Sequence, residues 1–572
     1  VHAHDESISA YLQALDYAKE TEDYGRAART FMKLGLTYHN ALQFAESRQA
    51  FEEGFIYWQR SAEAQASAAQ SVAPHPLRLA LDPPTSLDPG AASDFQSGMY
   101  TDQLFSGLVR LTPEMSIVPD VSRSWDVLED GKKYRFHLRE DVLWSDGQPL
   151  TSGDFEFAWK RTLDPEFSSP KSDMLLDIKG AADFNSGKGS VDGVGVRAVD
   201  DHTLEVELER PTGYFLQLAA HSGFFPVPKH VTASNNEHWA DDPNIITNGP
   251  YRLDSFDADQ GLSLKRNPAY HGIFTGNVEE IQVAFRDSGA DDLPDMYKED
   301  EIDAQLMYML SAEERDRSRH THTDEYLTAP VLSILYLGFD VSRPPFDDAR
   351  VRRALCSAID RETLAEIAYR GYYAPAIGGL VPPGLPSHLP ETGQQFDPGS
   401  AAQLLEEAGY PNGRGFPDIE CLGTISGLGD PVREHLKTHW QQHLGVEIEW
   451  QLLEWPSYMK RLHESPPHVY TTGWLADYAD PDNFLRVALL SALNGWENEA
   501  YDEMVEAARS SLDHAERMDL YERAQRILAD EVPVLPIVYL RGHYLVKPWL
   551  TRFPVSAMRV NYWEDAVIEP HD

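Results

Sequence analysis

The strongest constraint on the fold is an alternation of helix and strand patterns in the second half of the chain. Apolar residues recur at helical spacing in Ser400–Ala408, which ends at Gly409, and again in Pro431–Leu444. A strand-like run follows each helix, at Ile419–Leu422 and at Val446–Leu452. Because helices and strands in alternation build a parallel sheet covered by helices, this half is predicted to be an α/β lobe.

The rest of the main body has a similar mixture of patterns. Period-two alternation marks strands at Tyr134–Leu138 and Thr203–Leu208, and an apolar run at Leu77–Leu81 opens the body. Helical spacing returns at Asp348–Tyr369. Since 572 residues are too many for one hydrophobic core, we expect a multi-lobed α/β protein.

The first residues differ from this body. Ser7–Ala68 contain no proline, are rich in Ala, Glu, Gln and Arg, and are predicted to be helical throughout. The segment resembles a tetratricopeptide repeat at Phe31, Leu34, Gly35, Tyr38, Phe44, Phe51 and Gly54. A plain helical hairpin packed on the body is the alternative. Ala14, Tyr17 and Ala18 suit the second helix of an earlier repeat, from which we expect that the chain was cut from a longer protein.

Composition excludes some classes of function but does not identify one. With 92 acidic and 49 basic residues, the formal charge of −43 would repel nucleic-acid phosphates, so we expect no nucleic-acid partner. No HExxH, GxSxG, Walker or GxGxxG motif occurs in a fitting context, and His320-Thr321-His322 is weak as a metal motif. The chain is therefore predicted not to be an enzyme and to need no cofactor or metal.

A collinear series of short segments carries a resemblance to a known family. The segments run as follows: Ser86–Pro89, Leu104–Leu108, Phe136–Arg139, Trp144–Gly147, Thr151–Asp154, Asp164-Pro165, Val199–Thr203, Pro226–Lys229, Thr247–Tyr251, Asn267–Tyr270, Pro345–Asp348, Val351–Leu355, Ala358–Arg361, Gly473–Tyr478, Asp480-Pro481, Asn483–Leu485 and Leu545–Trp549. Together they resemble the oligopeptide- and dipeptide-binding proteins that supply ABC importers.

This resemblance implies a two-lobed fold of the periplasmic-binding-protein type that closes over an extended peptide. The predicted domains are a tetratricopeptide-like segment at 1–70, lobe I at 76–328 with a subdomain near 115–240, lobe II at 329–534, and a return to lobe I at 535–572. Peptide and protein backbones would pair as in an added strand, which makes binding tolerant of peptide sequence.

The resemblance also implies where the amino terminus of the peptide binds. Asp477 stands where the family keeps a carboxylate for the ligand ammonium group, and burying that charge requires such a partner. Trp474 and Tyr478 would wall the site and strengthen the attraction by lowering the local dielectric constant. A helix cap or turn is the alternative role for Asp477.

Other predicted ligand contacts are carried over with less support. Ser93, Asp94 and Phe95, within Ala92–Gln96, correspond to a lobe-one strand whose backbone runs beside the ligand. Trp455 matches a tryptophan that lines a side-chain pocket, although it could equally be core. Thr471 and Lys171 replace a family arginine and tyrosine, so the carboxyl end of the ligand is expected to be recognised differently. Lys171 could pair with that carboxylate or could be a surface lysine.

These inferences predict the solute-binding component of an ABC peptide importer, located outside the cytoplasm. The expected partners are a peptide and a transporter permease. The helical segment keeps open a second role, in which the lobes sense a peptide for a larger protein and the segment binds a protein partner. A nickel chelate or haem is the nearest alternative ligand within the fold.

Overall fold

The computed structural model describes residues 2–66, 75–234, 239–241, 244–425, 428–489, 491–558 and 561–571. The helices are α1 (His2–Glu20), α2 (Tyr24–Asn40), α3 (Phe44–Ala66), α4 (Phe95–Leu104), α5 (Ser152–Thr162), α6 (Ala181–Asn185), α7 (Phe215–Ala219), α8 (Lys229–Thr232), α9 (Leu293–Lys298), α10 (Ala312–Thr321), α11 (Ala349–Ser357), α12 (Arg361–Ile367), α13 (Pro398–Glu407), α14 (Asp430–Leu444), α15 (Trp455–Glu464), α16 (Ser491–Asn494), α17 (Glu499–Ser510) and α18 (His514–Glu531).

The strands are β1 (Leu77–Leu81), β2 (Val109–Leu111), β3 (Ile117–Pro119), β4 (Ser122–Leu128), β5 (Lys133–Leu138), β6 (Val196–Asp200), β7 (Thr203–Glu207), β8 (Tyr251–Asp257), β9 (Gly261–Arg266), β10 (Glu280–Phe285), β11 (Ala304–Leu306), β12 (Tyr326–Phe339), β13 (Ala374–Pro375), β14 (Glu420–Thr424), β15 (Glu449–Leu453), β16 (Val469–Leu475), β17 (Val534–Val546), β18 (Leu550–Arg552) and β19 (Val567–Ile568). In the described part of the chain, no helix has both the length and the hydropathy needed to cross a bilayer.

The chain divides into two compact units. The first contains Val1–Ala329, Leu512–His514 and Gly542–Asp572, and the second contains Pro330–Ser511 and Ala515–Arg541. One division lies within β12, beside the predicted limit at 328/329. Another lies within β17, at Arg541 and Gly542, which is beyond the predicted return at 535.

In the first unit, the predicted helical segment consists of three helices, α1 to α3, as the resemblance to a tetratricopeptide repeat implied. Glu22 and Leu42 have φ of 54° and 59°, in the left-handed region, which ends α1 and α2. Asp23 then caps α2 by accepting a hydrogen bond from the Arg26 N–H at 2.9 Å. Helix α2 packs on α3 where a Cβ on Gly35 would lie 2.7 Å from the Phe51 ring. This close packing fits the repeat-like residues predicted there; Ser67 and Ala68, at the end of the predicted helical segment, lie outside the described residues.

The same helices contact the body of the first unit. The Phe51 and Trp125 rings lie 4.6 Å apart, which joins α3 to β4. Arg139 places its guanidinium 4.6 Å from the Phe55 ring centre, and Arg48 pairs with Asp126 at 3.0 Å. Strand β4 belongs to an antiparallel sheet ordered β4-β5-β7-β6. The segment is therefore anchored on this sheet by aromatic and charged contacts.

A larger sheet of the first unit contains β11, β1, β10, β9 and β8, with β1 parallel to β10 and β11. Two of the resemblance-carrying segments meet beside it. Asn248 accepts a hydrogen bond from the Ser106 N–H and donates one to the Ser106 carbonyl, at 3.1 and 3.0 Å. A Cβ on Gly249 would lie 2.5 Å from the backbone of Leu104 and Phe105, so only glycine fits there. This segment supports the fold.

The second unit has the predicted α/β order. Strand β14 is parallel to both β15 and β16, and β16 is antiparallel to β12. Helix α14 places Trp440 in one buried cluster with Cys421 of β14 and Val469 of β16, and the Trp440 indole N–H donates to the Leu355 carbonyl of α11 at 2.9 Å. Gly409, with φ of 98°, follows α13 as predicted. The central expectation for this half, a parallel layer with helices, is confirmed.

Two element boundaries differ from the prediction. The helix expected over Asp348–Tyr369 is divided into α11 and α12, because Asp360 begins a new helix by accepting the Thr363 N–H at 3.0 Å. The strand expected from Val446 begins at Glu449. The residues before it follow Gly445, which closes α14 in a left-handed conformation with φ of 68°.

Candidate functional site

In the second unit, Trp474 and Asp477 lie at the end of strand β16. Trp474 pairs with Ile334 of β12, so the ladder fixes its backbone. Leu475 is the last residue of the strand, and the chain turns through 476–482 into a short helical turn at Asn483–Val487. The apolar residues of β16 hold it in the layer, and the polar residues of the motif follow where the strand ends.

Three aspartates in this turn have different environments. Asp480 accepts a 2.7 Å charged hydrogen bond from Arg517, and both side chains are 5% exposed. Asp482 is buried and is paired with Arg486 at 2.6 Å. Asp477 has no lysine, arginine or histidine partner among the described residues. Of the three carboxylates, Asp477 is thus the one left for an external cation.

A single side chain connects Asp477 to Trp474. The Asn483 Oδ1 accepts hydrogen bonds from the Trp474 indole N–H at 2.7 Å and from the Asp477 backbone N–H at 3.1 Å. The Asn483 Nδ2 donates to the Asp477 Oδ2 at 3.1 Å. The predicted pair of Trp474 and Asp477 is therefore brought together through a residue to which the sequence analysis gave no role.

Burial makes the charged form of Asp477 less favourable than that of an exposed aspartate. Burial raises the pKa of Asp477, and the hydrogen bond from Asn483 opposes that rise. A cation placed beside the carboxylate would stabilise the charged form and lower the pKa again. The alternative role of a turn residue belongs instead to Asp480, which accepts the Asp482 backbone N–H at 3.0 Å.

Tyr478 and Trp455, both predicted to contact ligand, lie in contrasting positions. Tyr478 is 5% exposed, and its hydroxyl donates to Asp482 and accepts from Arg486. Trp455 is 58% exposed at the start of α15, with its ring stacked 5.9 Å from Tyr458. The core alternative for Trp455 is therefore wrong, because an exposed indole at a helix N-terminus packs no core.

The Tyr458 ring that supports Trp455 is itself fixed. It is 1% exposed, and its hydroxyl donates to the Thr471 carbonyl on β16. Thr471, which stands in place of a family arginine, is buried and presents its backbone to this contact. No cation is supplied at this position.

In the first unit, the predicted strand at Ala92–Gln96 is wrong. Ser93 is exposed in an irregular segment, and α4 begins at Phe95 with Asp94 as its N-cap. Asp94 accepts the Ser97 backbone N–H at 2.8 Å and the Ser97 hydroxyl at 2.7 Å. This capping directs the chain into a helix where the resemblance implied an extended backbone.

These hydrogen bonds also set the charge state of Asp94. Burial alone would raise the pKa of the Asp94 carboxyl, but hydrogen bonds from Thr85 and Ser97 outweigh it and leave the pKa lowered. The Phe95 ring lies edge-on to Tyr308 at 6.1 Å. Asp94 is therefore an anionic cap beside an aromatic pair.

Lys171 is buried, so the surface-lysine alternative is wrong. Its ammonium donates to the Ser222 hydroxyl at 2.7 Å. Burial lowers the pKa of Lys171 to about 8, and the nearby carboxylates of Asp102, Asp88 and Asp94 oppose that shift. Lys171 and Asp94 are thus close enough for their charges to interact. Asp88 is already paired with Arg161 at 2.6 Å.

Comparison with known proteins identifies the family. The model of bacterial extracellular solute-binding proteins, family 5 (middle), matches residues 116–496. The chain belongs to this family. Among similar proteins, the periplasmic oligopeptide-binding protein OppA of Escherichia coli is 32% identical over 476 residues, covering 81% of this chain and 87% of OppA. The probable deoxycholate-binding periplasmic protein YgiS of E. coli is 30% identical over 483 residues, covering 82% and 89%.

A solved structure agrees with the fold. The E. coli murein tripeptide binding protein MppA matches with a TM-score of 0.73 and 28% identity, covering 87% of this chain and 98% of MppA. The predicted family and the two-lobed α/β fold class are confirmed. Family 5 consists of solute-binding proteins.

Asn483 is the functional candidate that sequence reasoning missed. It lies in the Asn483–Leu485 segment of the resemblance, six residues after Asp477, where no spacing rule connects an amide to a carboxylate. In the described part of the chain, no group of three or more His, Cys, Asp or Glu side chains is placed to hold a metal ion.

Proposed function

We propose that this chain binds oligopeptides with a free amino terminus, as the solute-binding component of an ABC peptide importer. The observation that carries the proposal is the difference between three neighbouring aspartates. Asp480 and Asp482 are neutralised by Arg517 and Arg486, whereas Asp477 has no cationic partner among the described residues. An α-ammonium group supplies the missing positive charge.

The surroundings of Asp477 suit an ammonium group in particular. A partly buried carboxylate attracts a cation more strongly than an exposed one, because the interior has a lower effective dielectric constant. The Trp474 ring, held by Asn483, offers an aromatic surface of the kind that interacts favourably with cations. Every unmodified peptide has this ammonium group, so its capture does not depend on peptide sequence.

Other predicted residues contribute to the same proposal. The exposed Trp455 is proposed to contact a ligand side chain, and Tyr478 acts from the protein interior by holding Asp482 and Arg486 beside the motif. In the first unit, Ser93, Asp94 and Phe95 line the ligand at the start of α4. We also propose an extracytoplasmic location and delivery of the peptide to a permease. Sensing by a larger protein is the alternative role.

Deoxycholate is the ligand class to exclude, because YgiS is named for binding it. Deoxycholate is an anion, so an unpaired Asp477 carboxylate would repel it and attract an ammonium group. We expect tri-L-alanine to bind with measurable heat in calorimetry at pH 7, and sodium deoxycholate below its micellar concentration to neither bind nor displace the peptide. Tight deoxycholate binding with no peptide binding would refute the proposal.

Lys171 is proposed to pair with an anionic group of the ligand, such as its carboxylate. Because the pKa of Lys171 is about 8 without ligand, raising the pH above this value removes the positive charge and weakens binding. Lys171→Met should bind tri-L-alanine roughly tenfold more weakly at pH 7 and should not distinguish it from its C-terminal amide.

The control for Lys171 is the difference in pH profile between Lys171→Met and the unaltered chain. The peptide amine itself titrates near pH 8, so the pH profile is compared between Lys171→Met and the unaltered chain with the same peptide. Lys179, which is 58% exposed and paired with Glu207, provides a matched substitution, Lys179→Met. An equal preference for the free acid in the unaltered chain and in Lys171→Met would assign carboxylate recognition elsewhere.

A further inference from the structure

The side chain of Asn483 makes hydrogen bonds to both Trp474 and Asp477. It is fully buried, and its amide is shared between two members of the proposed ammonium site. Its oxygen accepts both the Trp474 indole N–H, at 2.7 Å, and the Asp477 backbone N–H, at 3.1 Å. Its nitrogen donates to the Asp477 carboxylate at 3.1 Å. One amide thus fixes the aromatic ring, the backbone and the carboxylate.

The orientation of this amide is determined by its partners. The indole N–H and the backbone N–H can only donate, so the atom that faces both must be the Asn483 oxygen. The Asn483 NH2 group must then face the Asp477 Oδ2. Asn483 thus occupies one lone pair of Oδ2, and Oδ1, which accepts no hydrogen bond from the described residues, is the carboxylate oxygen more open to a ligand ammonium group.

We infer that Asn483 is a positioning residue that aims Asp477 Oδ1 at the ligand ammonium group and holds the Trp474 ring beside it. This inference rests on the proposed capture of a peptide amine by Asp477. Asn483 acts through Asp477 and Trp474 and is not itself assigned a contact with the ligand. The hydrogen bond to Oδ2 also keeps the carboxylate ionisable where burial opposes its charge.

Asn494 provides a matched control for a purely structural role. Like Asn483 it is fully buried, accepts a backbone N–H, that of Trp496 at 2.8 Å, and donates to an oxygen, the Leu489 carbonyl at 3.1 Å. It makes no hydrogen bond to Asp477 or Trp474. A change that acts only through the loss of a buried amide should therefore have similar effects at both positions.

The binding experiment compares Asn483→Asp with Asn494→Asp. The new carboxylate at 483 can still accept both N–H groups, but it faces Asp477 with a like charge and so raises the pKa of Asp477. We expect the loss of tri-L-alanine affinity on acidification to begin about one pH unit higher in Asn483→Asp, and to be unmoved in Asn494→Asp. Asn483→Ala introduces no charge and removes the three hydrogen bonds of the amide. It should lower the affinity at pH 7 roughly tenfold.

A second measurement needs no ligand. In the ligand-free chain with ¹⁵N-labelled tryptophan, the Trp474 indole resonance is assigned by its loss in Trp474→Phe. We expect it to titrate with Asp477 in the unaltered chain and in Asn494→Asp. In Asn483→Ala the Trp474 indole resonance should move to a new chemical shift and no longer depend on the ionisation of Asp477. In Asp477→Asn it should lose only this pH dependence. An indole signal that is unchanged in Asn483→Ala would overturn the positioning role.

The two measurements separate the failure of this inference from that of the proposed function. If Asp477→Asn abolishes peptide binding while Asn483→Asp and Asn483→Ala keep the unaltered affinity and pH profile, Asn483 is not a positioning residue and amine capture stands. If no peptide binds, but the Trp474 indole resonance titrates with Asp477 and loses this titration in Asn483→Ala, then Asn483 does link the two residues and the proposed ligand class is wrong.

Discussion

Replacing Asp477 with asparagine is expected to weaken the binding of a peptide with a free amino terminus by about 2–5 kcal/mol, or roughly 30- to 4000-fold in Kd. The substitution keeps the shape of the side chain but leaves the ligand ammonium group without a counter-charge in a partly buried position. Calorimetry with tri-L-alanine measures the loss. Asp146→Asn, in the first unit, removes a carboxylate whose partner is His230, at 2.8 Å, and should leave the affinity unchanged.

The same account predicts the direction of the pH dependence. Only the ionised form of Asp477 attracts an ammonium group, and burial raises the pKa of Asp477 above its ordinary value. Peptide affinity should therefore be full well above this raised pKa and should fall as the pH falls through it. The fall should begin at a higher pH than for an exposed aspartate, and Asp477→Asn should lack it.

Asp477→Asn is not expected to destabilise the fold. Because the pKa of Asp477 is higher in the folded chain than in the unfolded one, ionisation of this group opposes folding at neutral pH, and stability is regained as the pH falls. Removal of the carboxylate should leave the free energy of unfolding at pH 7 unchanged or raise it slightly. Large effects on binding without loss of stability are typical of a ligand contact.

Asp480→Asn should have the opposite effect, a loss of about 3–5 kcal/mol in the free energy of unfolding at pH 7. Asp480 and Arg517 are each 5% exposed and lie 2.7 Å apart, so the substitution leaves a buried guanidinium without its counter-charge. Denaturant-induced unfolding of the second unit, followed by tryptophan fluorescence, measures the loss. The folded fraction should still bind tri-L-alanine.

The double variant Asp480→Asn/Arg517→Met is the control for this second prediction. Removing the unpaired charge together with its partner should recover much of the stability, because a buried ion pair contributes little relative to an apolar replacement. An unfolding transition of Asp480→Asn within about 0.5 kcal/mol of the unaltered chain would show that this ion pair is not what holds the turn.

The elements of the second unit could be predicted because their signals are local. The spacing of apolar residues in α14 and the glycine after α13 are visible in the sequence, and both hold. The resemblance to a tetratricopeptide repeat implied separate helices in the first segment but not the residues at which they end, because Glu22 and Leu42 take up left-handed conformations that glycine usually provides. Neither residue gives a sequence signal for the end of a helix.

The candidate site was predictable only in part. Asp477 could be named because a short segment places it where the family keeps a carboxylate. Asp480 and Asp482 are excluded as ammonium ligands because they pair with Arg517 and Arg486. Arg517 lies far along the chain from Asp480, so the sequence gives no sign of that pair. The strand expected at Ala92–Gln96 failed for a local reason, since Asp94 caps a helix through Ser97.

The most direct test of amine capture by Asp477 is a cycle of four affinities, measured by calorimetry with tri-L-alanine and N-acetyl-tri-L-alanine on the unaltered chain and on Asp477→Asn. Acetylation removes the positive charge and Asp477→Asn removes the negative one. We predict that acetylation weakens binding to the unaltered chain by about 2–5 kcal/mol and has almost no further effect in Asp477→Asn. An equal penalty for acetylation in both proteins would show that the amine is held by another group, and would contradict the account.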